Sequence, residues 1–208
     1  PKGTELDLWE GKAFASLVGF LFLDTKVLGI GWPWHRNFEE VNLRFYVRRK
    51  VEGEWRRGVV FVSEIVPKIA IPLIANTLFG EHYEAMPMAH ILERYPDGKL
   101  RVRYQWEKQS WHHIEVEARQ ETQPIAEGST EEFIFEHYWG YGTNRRGETL
   151  EYQVEHPRWE VFPVSSYDIN CDVELLYGKT FVPALTAEPH SVFLAKGSDV
   201  QVRWGKKL

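Results

Sequence analysis

The chain has 208 residues, with 25 Lys and Arg against 30 Asp and Glu and a net charge of −5. The two signs interleave along the chain, which excludes a nucleic-acid phosphate backbone as partner, because that contact needs clustered positive charge. The single cysteine, Cys171, excludes an internal disulfide framework, and the longest apolar run, Phe14 to Leu23, is far short of the roughly 20 residues of a membrane-spanning helix.

The length and the 9 Trp, 9 Tyr and 12 Phe suit one domain, residues 1–208, with an ample core. After a turn at Trp9-Glu10-Gly11, Lys12 to Asp24 reads as the first long strand. Residues 27–37, VLGIGWPWHRN, form a loop whose Trp32, Trp34 and His35 either plug a barrel end or cover something. In 38–47, FEEVNLRFYV, Glu40, Asn42, Arg44 and Tyr46 alternate with Val41, Leu43, Phe45 and Val47, so the two sets lie on opposite faces of a strand. A turn at Glu52-Gly53-Glu54 leads to Val59–Val66, which is apolar on both faces apart from Ser63 and Glu64.

Pro67 and Gly80 bracket one principal helix near 67–79, with Ile69, Leu73, Ile74 and Leu78 as its apolar surface. Pro72 either kinks that helix or moves its start to Ile71. From Met88 onward short strands alternate with turns, including 100–106 and 113–119, a hairpin of Phe133–Tyr141 with Thr149–His156, and a last strand at Val200–Trp204. The class is mainly β, an antiparallel sheet or barrel.

The apolar neighbour strand leaves little room for a wet face, so the face of Glu40, Asn42, Arg44 and Tyr46 reads as a polar pocket wall; a solvated outer face is the alternative. Glu40 and Arg44 stand roughly 13–14 Å apart along an extended strand, so they would contact different parts of one ligand. A buried carboxylate is a candidate proton donor or acceptor, and an arginine stays charged and grips carboxylate or carbonyl oxygens. Glu81-His82-Tyr83-Glu84 follows the helix and is either a second set of pocket groups or a polar loop. On the expected hairpin, His137 shares a face with Trp139 and Tyr141, as an acid-base group or a core histidine. His112 and His113 are adjacent and point to opposite faces of a strand. With no HExxH, paired CxxC, GxGxxG, P-loop or GxSxG, neither a metal nor a cofactor is expected.

HRNFEEVNLRFYV (35–47), RRGVVFVSEIVP (56–67), LFGEHYEAMPM (78–88), FEHYWGY (135–141) and LEYQVEHPRWEV (150–161) together resemble the bacterial YqjF-like family, domain of unknown function 2071. The resemblance implies that the native chain starts some tens of residues before Pro1. It also implies a fold similar to acetoacetate decarboxylase, a bent, closed antiparallel β-barrel enclosing a pocket. That enzyme forms a Schiff base through a lysine whose pKa a neighbouring lysine depresses. The matching segment here is His82-Tyr83-Glu84, without a lysine, and Lys68 lies at the other end of the helix. The enzyme's acidic residue at the start of the matching strand falls on Glu39 or Glu40, of which Glu40 shares the face of Arg44.

The expected protein is cytoplasmic and binds a small keto acid or related carboxylate without lysine chemistry. Glu40 and Glu84 are its candidate acid-base groups, with Asn42, Arg44, Tyr46, His82, Tyr83 and His137 as ligand contacts. The alternative is a non-enzymatic interaction or scaffold domain with a filled barrel, in which Trp32 and Trp34 meet a partner chain or a second copy in a homodimer.

Overall fold

The computed structural model describes residues 1–24, 37–68, 83–144, 146–203 and 205–208. The first strands are β1 (Glu5–Leu6), β2 (Ala15–Phe22), β3 (Phe38–Val51), β4 (Glu54–Val66) and β5 (Tyr83–Ala85). They are followed by β6 (Met88–Arg94), β7 (Lys99–Lys108), β8 (Ser110–Arg119), β9 (Gln123–Pro124) and the helix α1 (Thr130–Phe135). Next come β10 (Trp139–Thr143), β11 (Thr149–Glu155), β12 (Glu160–Phe162), β13 (Val164–Asn170) and helices α2 (Val173–Tyr177) and α3 (Val182–Leu185). The chain ends through β14 (Leu194–Ala195), β15 (Gln201–Val202) and β16 (Lys206–Lys207). Among the described residues no helix is long and apolar enough to cross a membrane.

The polar-faced strand β3 is the spine of the largest sheet. β1 and β2 share one of its edges end to end, and β4 runs antiparallel along the other. Its length comes from the turn, where Glu52 (φ 52) and Gly53 (φ 93) both adopt left-handed backbone and close a two-residue hairpin between Val51 and Glu54. The strand thus continues past Val47, where the alternation of the sequence gives way to Arg48, Arg49 and Lys50. Leu43 pairs with Ser63 and Arg44 with Phe61, which leaves Val62 as the extra residue of a bulge. The bulge changes which β4 residues share the polar face of β3: Glu64 beside Asn42, but Val59 beside Tyr46.

The opposite face of β3 is apolar and packs on a four-stranded sheet ordered β13-β8-β7-β6. Val41, Ile65, Met86, Trp106 and Leu176 form that core, with Leu17, Tyr104 and Ile114 against it. Burying Val41, Ile65 and Met86 stabilises by about 1.5–3 kcal/mol each. Gly19 of β2 lets the second sheet approach, since a Cβ there would lie 2.7 Å from the Tyr104 ring.

One expectation is corrected and another is not confirmed. Phe133–Tyr141 is not a strand: residues 130–135 are helical, and only Trp139–Thr143 pairs with β11. Ser129 caps α1 by accepting from Glu132 N, and Glu132 reaches back to Gly128 N, so the Ser-x-x-Glu signature prevails over the alternation that follows. The closed barrel is not confirmed either. Among the described residues the strands form sheets of nine, four and three strands, and none closes on itself. The helix expected near 67–79 and the loop with Trp32, Trp34 and His35 lie almost wholly or wholly outside the described residues.

Candidate functional site

One row of side chains crosses four strands on the polar side of β3. Val18, Asn42, Glu64 and Tyr83 are successive partners in register from β2 to β5, and such partners share a face. Asn42 Nδ2 donates to Glu40 Oε1 (3.0 Å), and Tyr83 OH donates to Glu64 Oε1 (2.9 Å). Exposures of 3% for Glu40, 1% for Asn42 and 2% for Glu64 settle that this face looks into the protein. Glu40 and Glu64 therefore sit inside on diagonal strand positions, whose Cα atoms are roughly 7–8 Å apart by standard sheet spacing.

Arg44 follows Asn42 on the same face and is half-buried. Its Nε is fully covered and makes no hydrogen bond, and among the described residues the guanidinium has no ion pair. The guanidinium carbon lies 5.8 Å from the Tyr46 ring centroid. Tyr46 is buried and shares a 2.7 Å hydrogen bond with Ser16 Oγ on β2.

A second group borders Tyr46. The backbone N–H of Asp7, just past β1, donates to the Tyr46 carbonyl at 3.0 Å, which brings the Asp7 side chain to this face. Asp7 Oδ2 accepts from Arg57 Nε (2.6 Å) and lies 3.1 Å from His137 Nε2. Burial pushes the Asp7 carboxyl up, but hydrogen bonds from His137 and Arg57 outweigh it and hold the carboxyl below its usual range. Burial lowers the His137 pKa against the pull of Asp7, with Arg57 and Arg44 adding to the lowering. The imidazole is wedged between Tyr46 (4.7 Å between centroids) and Phe133 (5.1 Å), and its Nδ1 is buried without a partner among the described residues.

The structure thus brings Glu40, Asn42, Arg44, Tyr46 and Tyr83 onto one side of the sheet, with His137 at its lower end. Glu84 is not brought there. It pairs in register with Ile65, on the other face, is exposed, and forms an ion pair with Lys108 (2.8 Å). His82 lies outside the described residues. Asp7 and Arg57 escape a reading of the sequence, since nothing near them marks a site. Glu64 carries one visible signal, as the charged residue in Val59–Val66, which is apolar apart from it and Ser63.

No described lysine is buried; Lys108, the most covered, is the one paired with Glu84. Among the described residues no three His, Cys, Asp or Glu side chains are grouped to hold a metal ion. A recess of about 210 Å³ lies elsewhere, lined by Pro124, Ile125, Val161, Phe162 and Phe193 among others. It contains none of the buried charged groups described above and falls below the roughly 300 Å³ at which ligand pockets begin.

The arrangement of the sheets is that of the acetoacetate decarboxylase-like fold. The chain aligns over 100% of its length with acetoacetate decarboxylase from Legionella pneumophila (TM-score 0.58, 13% identity, 77% of that chain covered). It aligns equally fully with the enduracididine biosynthesis enzyme MppR complexed with pyruvate (TM-score 0.63, 13% identity, 80% covered). An acetoacetate decarboxylase-like enzyme from Sphingomonas wittichii RW1 is similar too (TM-score 0.56, 12% identity, 83% covered). The chain belongs to the DUF2071 family of uncharacterized conserved proteins, whose sequence profile matches residues 1–199. No curated protein matches it in sequence.

Proposed function

We propose that this protein binds a small organic acid against the polar face of β3, with Arg44 gripping its carboxylate. The observation that carries this reading is the half-buried Arg44 guanidinium, whose covered Nε has no hydrogen bond and which has no ion pair among the described residues. A cation taken from water without a counter-charge is costly, and an anionic ligand offsets that cost. The planar fork of arginine suits a carboxylate in particular. The pyruvate held by MppR supports a small acid as the ligand class.

Schiff-base chemistry is not part of this reading. Tyr83, bonded to Glu64, stands in the segment where the resemblance to the decarboxylase expects the amine. What the face offers instead is acid-base chemistry, with Glu40 as the proton-handling group.

The test is calorimetric titration of the full chain with a panel of two- to five-carbon carboxylic acids, repeated with Arg44→Met. Binding by the wild type that weakens at least about tenfold in the variant is the expected result, equivalent to losing a charge-assisted hydrogen bond. Unchanged binding in Arg44→Met overturns the assignment, as does a wild type that binds none of the acids.

A further inference from the structure

Along this face, Asn42 Oδ1, Arg44 Nε and His137 Nδ1 are buried polar atoms with no hydrogen-bond partner among the described residues. Their order follows the strand. Asn42 and Arg44 are alternate residues of β3, and the next residue on that face, Tyr46, carries the His137 ring at 4.7 Å. An unsatisfied cationic donor is thus flanked on each side by an unsatisfied group.

Both flanking groups are acceptors. The Asn42 amide nitrogen donates to Glu40, which leaves the Asn42 oxygen with its lone pairs. Asp7 is an ionised carboxylate and only accepts, so the contact at His137 Nε2 requires the ring proton to be on that nitrogen. Burial keeps the ring neutral at neutral pH, so Nδ1 carries a bare lone pair. Asp7 in this way fixes the tautomer, and with it what His137 can recognise.

The complement of this arrangement is specific. A plain keto acid presents only acceptors; its carboxylate satisfies Arg44, while its ketone oxygen meets the lone pair of His137 Nδ1. A carboxylate with an O–H or N–H on the adjacent carbon satisfies the cation and an acceptor together. Sites built around such an acceptor reject analogues that lack the donor, because a buried polar group is otherwise left unpaired.

Resting on the organic-acid reading above, we infer that the ligand is a small carboxylate bearing a hydroxyl or amino group next to the carboxylate, with His137 Nδ1 accepting from that donor. Asp7 is a positioning residue in this account, acting through His137.

The experiment uses a matched three-carbon set on the full chain: 2-hydroxypropionate, 2-aminopropionate, 2-oxopropionate and propionate. The hydroxy or the amino acid binds at least about tenfold more tightly than the oxo acid and propionate, and the two donor arms tell hydroxyl from amine. His137→Phe brings the affinities within about threefold of one another. Should that variant fail to fold, imidazole ¹⁵N spectra of the wild type supply the readout. The His137 Nδ1 signal lies at the bare-imine position in the free protein and moves away from it with the donor-bearing acid, but not with propionate. Equal or tighter binding of the oxo acid, or a His137 signal indifferent to the donor, overturns this inference while leaving the organic-acid reading intact. Binding of none of the four overturns this inference, and binding of no acid in the two- to five-carbon panel overturns both.

Discussion

Asp7 Oδ2 lies 3.1 Å from His137 Nε2, although the two residues are 130 positions apart in the chain. Three tethers make the contact. The Asp7 backbone is bonded to Tyr46 O, Arg57 grips the same carboxylate, and α1 brings Phe133 and the following His137 against Tyr46. Arg57 also donates to the Phe133 carbonyl at 3.2 Å and stacks its guanidinium over the Phe133 ring. The first strand, the hairpin and the helix are thereby joined at one carboxylate.

Replacing that carboxylate removes the ion-pair partner of Arg57 and the hydrogen-bond partner of His137 Nε2. Asp7→Ala should lower stability by about 2–4 kcal/mol, because a buried network loses its central acceptor. A urea titration reads this as a lower midpoint at unchanged slope. A loss below about 0.5 kcal/mol would show that Asp7 does not hold this corner together.

The same corner should make stability depend on pH. The native His137 pKa is lowered, so on acidification the unfolded chain takes up this proton before the folded one does. Its stabilising contribution is complete above the unfolded value of about 6.5 and is lost as the pH falls through the native value. Asp7, with a depressed native pKa, contributes above its unfolded value of 3.8 and loses that contribution on further acidification. The charged groups facing His137 are Asp7, Arg57 and Arg44. The urea midpoint of the wild type should therefore drop between pH 7 and pH 5 more steeply than that of His137→Phe, and parallel curves would contradict this.

Gly58 reports on the seam between β4 and β10. A Cβ at this position would lie 2.5 Å from the Trp139 carbonyl oxygen, a backbone atom fixed by the parallel pairing of Trp139 with Gly58. Gly58→Ala should cost about 1–3 kcal/mol through overpacking. Thermal melting checks it, and an unchanged midpoint would mean that the two strands part freely.

Lysine chemistry is tested by borohydride reduction in the presence of 2-oxo acids, read by mass spectrometry of the intact chain. The protein should stay unmodified, since a Schiff base needs an amine whose pKa is depressed and no described lysine is buried. A stable adduct on any lysine would reverse this.

The strand at the centre of the site was legible because strict alternation over ten residues, beside an apolar partner that leaves little room for a wet face, favours polar side chains facing inward over a solvated outer face. Burial of Glu40, Asn42 and Tyr46 agrees with it. Glu84 was misjudged for the same geometric reason. On a strand it must face away from Tyr83, and the strand β5 is too short to be recognised from its sequence. The helix α1 was overlooked because Phe133, Phe135 and His137 also alternate, while the Ser129–Glu132 cap that decides the matter precedes the alternation. Asp7 and Arg57 were illegible, because their meeting depends on the pairing of the two-residue strand β1 with the far end of β3, and no local pattern encodes that contact.

The most direct test is a crystal structure of the protein with a bound 2-hydroxy or 2-amino carboxylate. The account predicts a ligand carboxylate oxygen within about 3.2 Å of the Arg44 guanidinium, on the face shared by Glu40, Asn42 and Tyr46. A ligand seated in the recess beside Pro124 and Val161, with Arg44 untouched, would contradict it.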